Sequence, residues 1–227
     1  MRTSRSVWLG RVAVAGPIAF TIAWLIGGLV QDEYSFRQED ISALAALDAQ
    51  HAWIMITGFV LLGVGTIALA AGLASTLKYP SAVIGSVLLT IAGIGLAVVG
   101  LARNDCSTEL QACAARLDAG EVSLHHQIHD NVSLIIFLAL IAASLVLARA
   151  FGQDDRWRPL RTYCIVTGVL GFALLVLYVI EPAPAWNGLV QRIFVSVLFL
   201  WIAVVGFWLS RVNLSLVNAG RRERPQQ

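Results

Sequence analysis

The side chains able to move protons, hold ions or grip a ligand are gathered into a few short segments of this sequence. His125, His126, His129 and Asp130 form one run. On a helix, His125 and His129 share a face, as do His126 and Asp130, because residues four apart are neighbours. Imidazole and carboxylate so placed could hold a divalent ion such as zinc, with Asp105 or Asp40 completing the shell. No His-Glu-x-x-His or paired Cys-x-x-Cys pattern accompanies the run. It reads equally as interfacial His125 and His126, with His129 and Asp130 hydrogen-bonded to neighbouring helices.

A second set borders long apolar stretches: Asp130, Glu181 just before Pro182, and Gln191 with Arg192. Ionisable groups at membrane depth are costly and face a partner or a cavity. Arg192 therefore needs a counter-ion, and Glu181 or Asp130 is the natural choice, either to pin helices together or to line a pocket. The third set is the segment 31–48, which carries Asp32, Glu33, Arg37, Asp40 and Ser42. After Asp40 as a cap, Ile41, Leu44 and Leu47 recur at helical spacing, so a short interfacial helix is expected with a polar lining beside it. The alternative is a solvated acidic loop.

The elements that must position these groups are membrane helices. Of the 227 residues, 58% are hydrophobic and only 13% charged, and the mean hydropathy is +0.75, which excludes a soluble globular core. Six apolar stretches, 12–30, 52–73, 81–102, 129–148, 162–180 and 193–210, approach or exceed the roughly 20 residues that span the hydrocarbon. None alternates in the way a lipid-facing barrel strand must. The expected fold is an all-α integral membrane bundle of six transmembrane helices, a single domain over 1–227 with a basic cytoplasmic tail at 211–227. Arg2 and Arg5 ahead of the first stretch resemble a signal peptide, but no small-x-small cleavage site follows, so this stretch is expected to be retained.

Cytoplasmic loops hold the excess of Lys and Arg. Of the 16 such residues, Arg37, Arg103, Arg116 and Arg192 lie in alternate gaps, and the other 12 lie on the opposite side with both termini. The termini are therefore expected in the cytoplasm and the segments 31–51, 103–128 and 181–192 outside. Acidic residues are distributed the other way, with only Asp154, Asp155 and Glu223 inside. Neither this pattern nor the net charge of +2 supports nucleic-acid binding. Arg221, Arg222 and Arg224 would meet anionic lipid heads or fix topology. Cys106 and Cys113 share the second outer segment, where an oxidising compartment permits a bridge; two free thiols are the alternative. Small residues four apart, Ala68 with Gly72 and Gly93 with Ala97, imply close packing of the second and third spans.

Ile41-Ser42-Ala43-Leu44, Asp105-Cys106-Ser107, His129-Asp130 and Gln191-Arg192, in that order and on one side, resemble a bacterial and archaeal six-span membrane family catalogued as a domain of unknown function. The resemblance covers Val12 to Ser210 and implies a six-helix fold without a reaction. A fainter similarity, in topology and in a polar first outer loop, is to the damage-regulated autophagy modulator family.

Three functions fit these residues. One is a non-enzymatic module binding a lipid, a small ligand or a membrane-protein partner in an outer polar pocket built from Asp40, Ser42, Asp105, His129, Asp130, Glu181, Gln191 and Arg192. Another is a metal-dependent lipid hydrolase similar to the alkaline ceramidase and adiponectin-receptor superfamily, with zinc on His125, His129 and Asp130. It departs from that pattern because the last span contains no histidine. The last is an integral membrane terpene cyclase, in which Asp32, Asp130 or Glu181 protonates an isoprenoid and aromatic faces stabilise the cation. No phosphate-cradling glycine loop, Gly-x-Ser-x-Gly elbow or haem or flavin signature is present, and no cofactor is expected.

Overall fold

The computed structural model describes residues 2–107 and 111–222, with side chains for 4–107 and 111–215. Its helices are α1 (Arg2–Val30), α2 (Ala52–Thr76), α3 (Pro80–Leu101), the short α4 (Gln111–Asp118), α5 (Leu124–Phe151), α6 (Arg161–Ile180) and α7 (Asn187–Arg222). No strand occurs among the described residues, and six helices are long and apolar enough to cross a membrane, as expected for an all-α bundle. The side chains of Arg221 and Arg222, and all of Arg224, lie outside the described residues, and with them the expected lipid contact of the tail.

The helices overrun the apolar stretches that announce them. α1 begins at Arg2 rather than near Val12, α5 at Leu124 rather than His129, and α7 at Asn187 rather than Ile193. Hydropathy marks hydrocarbon depth, but backbone N–H and C=O groups still need partners at its edges, so helical bonding continues into polar sequence. With 36 residues at about 1.5 Å each, α7 is about 54 Å long, well beyond the bilayer core.

The six long helices form a closed ring in chain order: α1 packs on α2, α2 on α3, α3 on α5, α5 on α6, α6 on α7, and α7 returns to α1. Inside lie Phe20, Phe59, Leu62, Leu96, Ile136, Phe194 and Phe199. Glycine sets several crossings. A Cβ on Gly63 would sit 2.6 Å from the Gly93 carbonyl oxygen of α3, and one on Gly16 would sit 2.9 Å from the Leu61 carbonyl oxygen of α2. Gly93 is thus at a tight α2–α3 crossing as expected, but its partner is Gly63. Gly72 instead faces Leu209 of α7.

One end of the ring holds the start of α1 and the later turns of α7, where Ser210 Oγ donates to the Val7 carbonyl at 3.1 Å. The opposite, distal end carries the segments between α1 and α2, α3 and α5, and α6 and α7. Trp8, Trp53 and Trp186 are exposed near helix ends, as an aromatic belt requires. Trp157 and Trp201 are fully buried instead; Trp157 stacks on Phe151, and Trp201 Nε1 donates to Cys164 Sγ at 3.2 Å.

Candidate functional site

The distal segments do not lie loosely over the ring. The first folds down into its mouth, where Ile41–Ala45 forms a 3-10 turn burying Ile41, Ala43, Leu44 and Ala45. This is the expected short helix, with two corrections. Leu47 is exposed, and Asp40 makes no side-chain cap. A 3-10 turn tightens the spacing to three, so Ile41 and Leu44 share a side that Leu47 leaves as the turn ends. The Asp40 carboxylate is drawn elsewhere: the Tyr178 hydroxyl of α6 donates a short hydrogen bond to it.

Backbone needs explain how the segment is held. The first N–H groups of a helix have no partner within it. Those of Gly188 and Leu189 in α7 donate to the Gln38 and Arg37 carbonyls at 3.1 and 3.0 Å. Gly188 must lack a side chain, since a Cβ there would strike the Glu39 carbonyl oxygen. Gln191 Oε1 accepts from the Ile41 N–H at 2.7 Å, while its amide donates to the Tyr178 hydroxyl at 3.2 Å. From the other side, Arg103 donates to the Ala45 and Ala46 carbonyls at 2.8 and 2.5 Å.

Arg192 is the buried hub of this attachment, but not through the expected acid. Its Nη1 donates to the Glu39 and Gly188 carbonyls, each at 2.8 Å, and its Nη2 to the Tyr34 hydroxyl. Its guanidinium lies 5.3–5.5 Å from the ring centres of Trp24, Tyr34 and Phe36. Glu181 instead accepts from Asn187 Nδ2 at 2.6 Å, and Asp130 faces His126 Nε2 at 3.5 Å. Carbonyl dipoles and aromatic faces replace the carboxylate because they stabilise a cation without bringing a second charge out of water. Burial pushes the Tyr34 hydroxyl above its ordinary pKa, with Arg192 pulling the other way.

The second distal segment, between α3 and α5, is clamped by Asp105. Its carboxylate accepts from the Ser123 hydroxyl and N–H at 2.6 and 2.7 Å, and its own N–H donates to His126 Nδ1 at 3.2 Å. The Ser123 hydroxyl bond, joined by the Ser123 N–H and the charge of Arg116, holds this carboxyl below its ordinary pKa against burial. Cys106 and Cys113 are joined in a disulfide with Cα atoms 5.9 Å apart, tying α4 to the chain end that leaves α3.

Beneath these segments lies a cavity of about 610 Å³. Phe20, Phe59, Leu96, Val99, Ile136 and Phe199 form its apolar walls; Asp40, Ser42, Asn104, His129, Asp130, Tyr178, Glu181 and Gln191 are among its polar lining. His129 Nδ1 lies 2.8 and 3.1 Å from the Ala102 and Val99 carbonyls, which can only accept, so Nδ1 bears the proton and Nε2 of the neutral ring is an acceptor. Leu134 of α5 and Val179 of α6 line the cavity and are exposed, as are Leu117 and Asp118 of α4 and Glu181 after α6.

The structure therefore gathers Asp40, Ser42, His129, Asp130, Glu181 and Gln191 around one space. It places Asp105, Arg192 and Asp32 elsewhere: Asp32 accepts from Gln50 Nε2 at 2.8 Å and lines a smaller cleft. His125 is exposed on α5 while His126 and His129 are buried, and among the described residues no group of three metal-ligating side chains converges. Asn104, Ser133, Tyr178 and Asn187 line the cavity without having stood out in the sequence. Tyr178 had a signal, a hydroxyl in an apolar span one turn from Glu181; Asn104, beside Asp105, had almost none.

No curated protein and no solved structure matches this sequence. A family model described as "Protein of unknown function (DUF998)" matches residues 14–208, nearly all of the ring, and the chain belongs to that family.

Proposed function

We propose that this multi-pass membrane protein binds a lipid-like amphiphile in the distal cavity, with its termini in the cytoplasm and the cavity in the extracytoplasmic half of the cell membrane. The observation that carries this reading is the cavity itself. Its size falls within the roughly 300–1,000 Å³ of ligand pockets. Its walls are apolar and its polar groups share one lining, and the exposed Leu134 and Val179 within that lining favour an entrance from the hydrocarbon between α5 and α6. An amphiphile entering there would leave the bilayer tail first or head first without crossing water. The arginine asymmetry and the Cys106–Cys113 bridge support the orientation.

The test is photolabelling in native membranes with a phospholipid carrying a diazirine near its chain end. Label is expected on cavity-wall residues such as Phe59, Leu96 and Phe199, and it should disappear from them in Ser133→Trp, which fills the space. Label confined to lipid-facing positions such as Val83 and Val169 would refute the reading.

One catalytic alternative has an observation in its favour. Phe20, Phe59, Phe137, Tyr178 and Phe199 line the same space as Asp40 and Asp130, the arrangement that proton-initiated prenyl cyclisation needs. Conversion of prenyl alcohols or diphosphates by purified protein, lost in Asp130→Asn, would move the assignment from binding to catalysis.

A further inference from the structure

The chemistry of the cavity's polar groups is one-sided. Asp40, Asp118, Asp130 and Glu181 line it, and no Lys or Arg does so among the described residues. The arginines of the distal segments are committed elsewhere: Arg192 to the Glu39 and Gly188 carbonyls and Tyr34, Arg103 to the Ala45 and Ala46 carbonyls, Arg116 to the Glu121 carbonyl, and Arg37 over the Trp186 ring. A second observation is independent of the acids. Asn104 also lines the cavity, is 5% exposed, and its side-chain oxygen is buried without a hydrogen-bond partner. Such an orphan acceptor in a native fold calls for an explanation, and a donor on a bound molecule is one. The acceptor lone pair of His129 adds to the same set.

Resting on the cavity reading above, we infer that the bound amphiphile carries a cationic, hydrogen-bond-donating head, a primary ammonium, held by the carboxylates of Asp130 and Glu181 with Asn104 as an acceptor, its chain lying against the phenylalanine wall. An ammonium offers donors and no acceptor, which complements a lining of acceptors. A carboxylate or phosphate head would meet like charge, with no basic residue in the described lining to receive it.

Purified full-length protein in a neutral detergent, titrated in turn with dodecylamine, 1-dodecanol and dodecanoate, separates head from tail, with one-to-one adducts counted by native mass spectrometry. The amine should bind about tenfold more tightly than the alcohol, the factor one charge-assisted hydrogen bond supplies, and dodecanoate should bind least. In Asp130→Asn, Glu181→Gln the amine's advantage should vanish while dodecanol binding stays. Should that variant not fold, Asp118→Asn, on the short α4, should reduce the advantage in the same direction. Equal binding of amine and alcohol, preference for dodecanoate, or an amine advantage untouched by these substitutions overturns the cationic head. The cavity reading then survives if Ser133→Trp still blocks every adduct. Absence of all three adducts, or adducts indifferent to Ser133→Trp, overturns the cavity reading and this inference together.

Discussion

The seams of α1 with α2, and of α2 with α3, differ from those that α6 makes with α5 and α7. In the first, backbone meets backbone: Gly16 lies on Leu61 and Gly65, and Gly63 on Gly93, with no room for a methyl group. Around α6, side chains keep the helices apart, and 28% of its apolar stretch is buried, against 39% for α1 and 50–56% for α2, α3, α5 and α7. Leu175, Tyr178 and Val179 of α6 wall the cavity on this looser side. Lipid tails are as apolar as leucine, so helices in a bilayer associate through close packing rather than hydrophobic exclusion. A ring can therefore place its stability in glycine seams and leave a gap elsewhere at little cost, because the gap can be filled by hydrocarbon.

That contrast predicts where substitution is tolerated. Gly63→Val should be the most damaging change: even its Cβ meets the Gly93 carbonyl, so α2 and α3 must separate, at a cost of about 3 kcal/mol or more. Loss of a monodisperse peak in size-exclusion chromatography is the expected readout. Val169→Ala on the exposed face of α6 should change nothing measurable. Comparable damage from both would break the distinction between the seams.

The distal network should rank next. Arg192→Ala removes a charged donor from the Glu39 and Gly188 carbonyls and the Tyr34 hydroxyl, at about 2–3 kcal/mol. Arg192→Lys should not restore it, since a point charge cannot reach three acceptors and also stack between aromatic rings. Thermal unfolding of both variants in detergent checks this. Cys106→Ser with Cys113→Ser should cost somewhat less, about 2 kcal/mol, for a loop of this length. Faster proteolysis between α3 and α5 should accompany it, with the glycine seams unaffected.

How much of this was legible depends on the kind of signal each residue leaves. The six spans announce themselves because burial in lipid requires long apolar runs, and the polar candidates Asp40, His129, Asp130, Glu181 and Gln191 stand out because an ionisable or amide group beside such a run is expensive. What those groups touch left no trace. Arg192 and Glu181 look like a pair by charge alone. A guanidinium can also be satisfied by carbonyl oxygens and ring faces, and whether two carbonyls are near depends on how the segment 31–48 folds back, which no local pattern encodes. α4 was invisible for the opposite reason: eight residues, with small alanines and a lone buried Cys113, carry no periodicity. Gly63 was passed over because a helix crossing is chosen by two surfaces at once, and a four-residue spacing on one helix names several candidates.

The smallest predicted effect concerns Asp105 and separates the distal clamp from the cavity beside it. The carboxyl titrates below its ordinary value in the folded protein, because the Ser123 hydroxyl and N–H, with Arg116 nearby, favour the anion. A group depressed by folding binds fewer protons in the native state than in the unfolded one, so stability rises with pH across the interval between its two pKa values. Its contribution is complete above the ordinary carboxylate value near 4 and is lost as pH falls through the lower folded value. Asp105→Asn keeps the shape and removes the titration. Wild type should lose thermal stability between about pH 5 and pH 3 faster than the variant, and at pH 7 the variant should be the less stable by about 1 kcal/mol, the lower end of what a hydrogen bond to a charged group contributes. Amphiphile binding, which uses Asp130 and Glu181 rather than Asp105, should be the same in both proteins at pH 7. A variant that loses binding but not stability would show that Asp105 belongs to the cavity and that clamp and pocket are one unit.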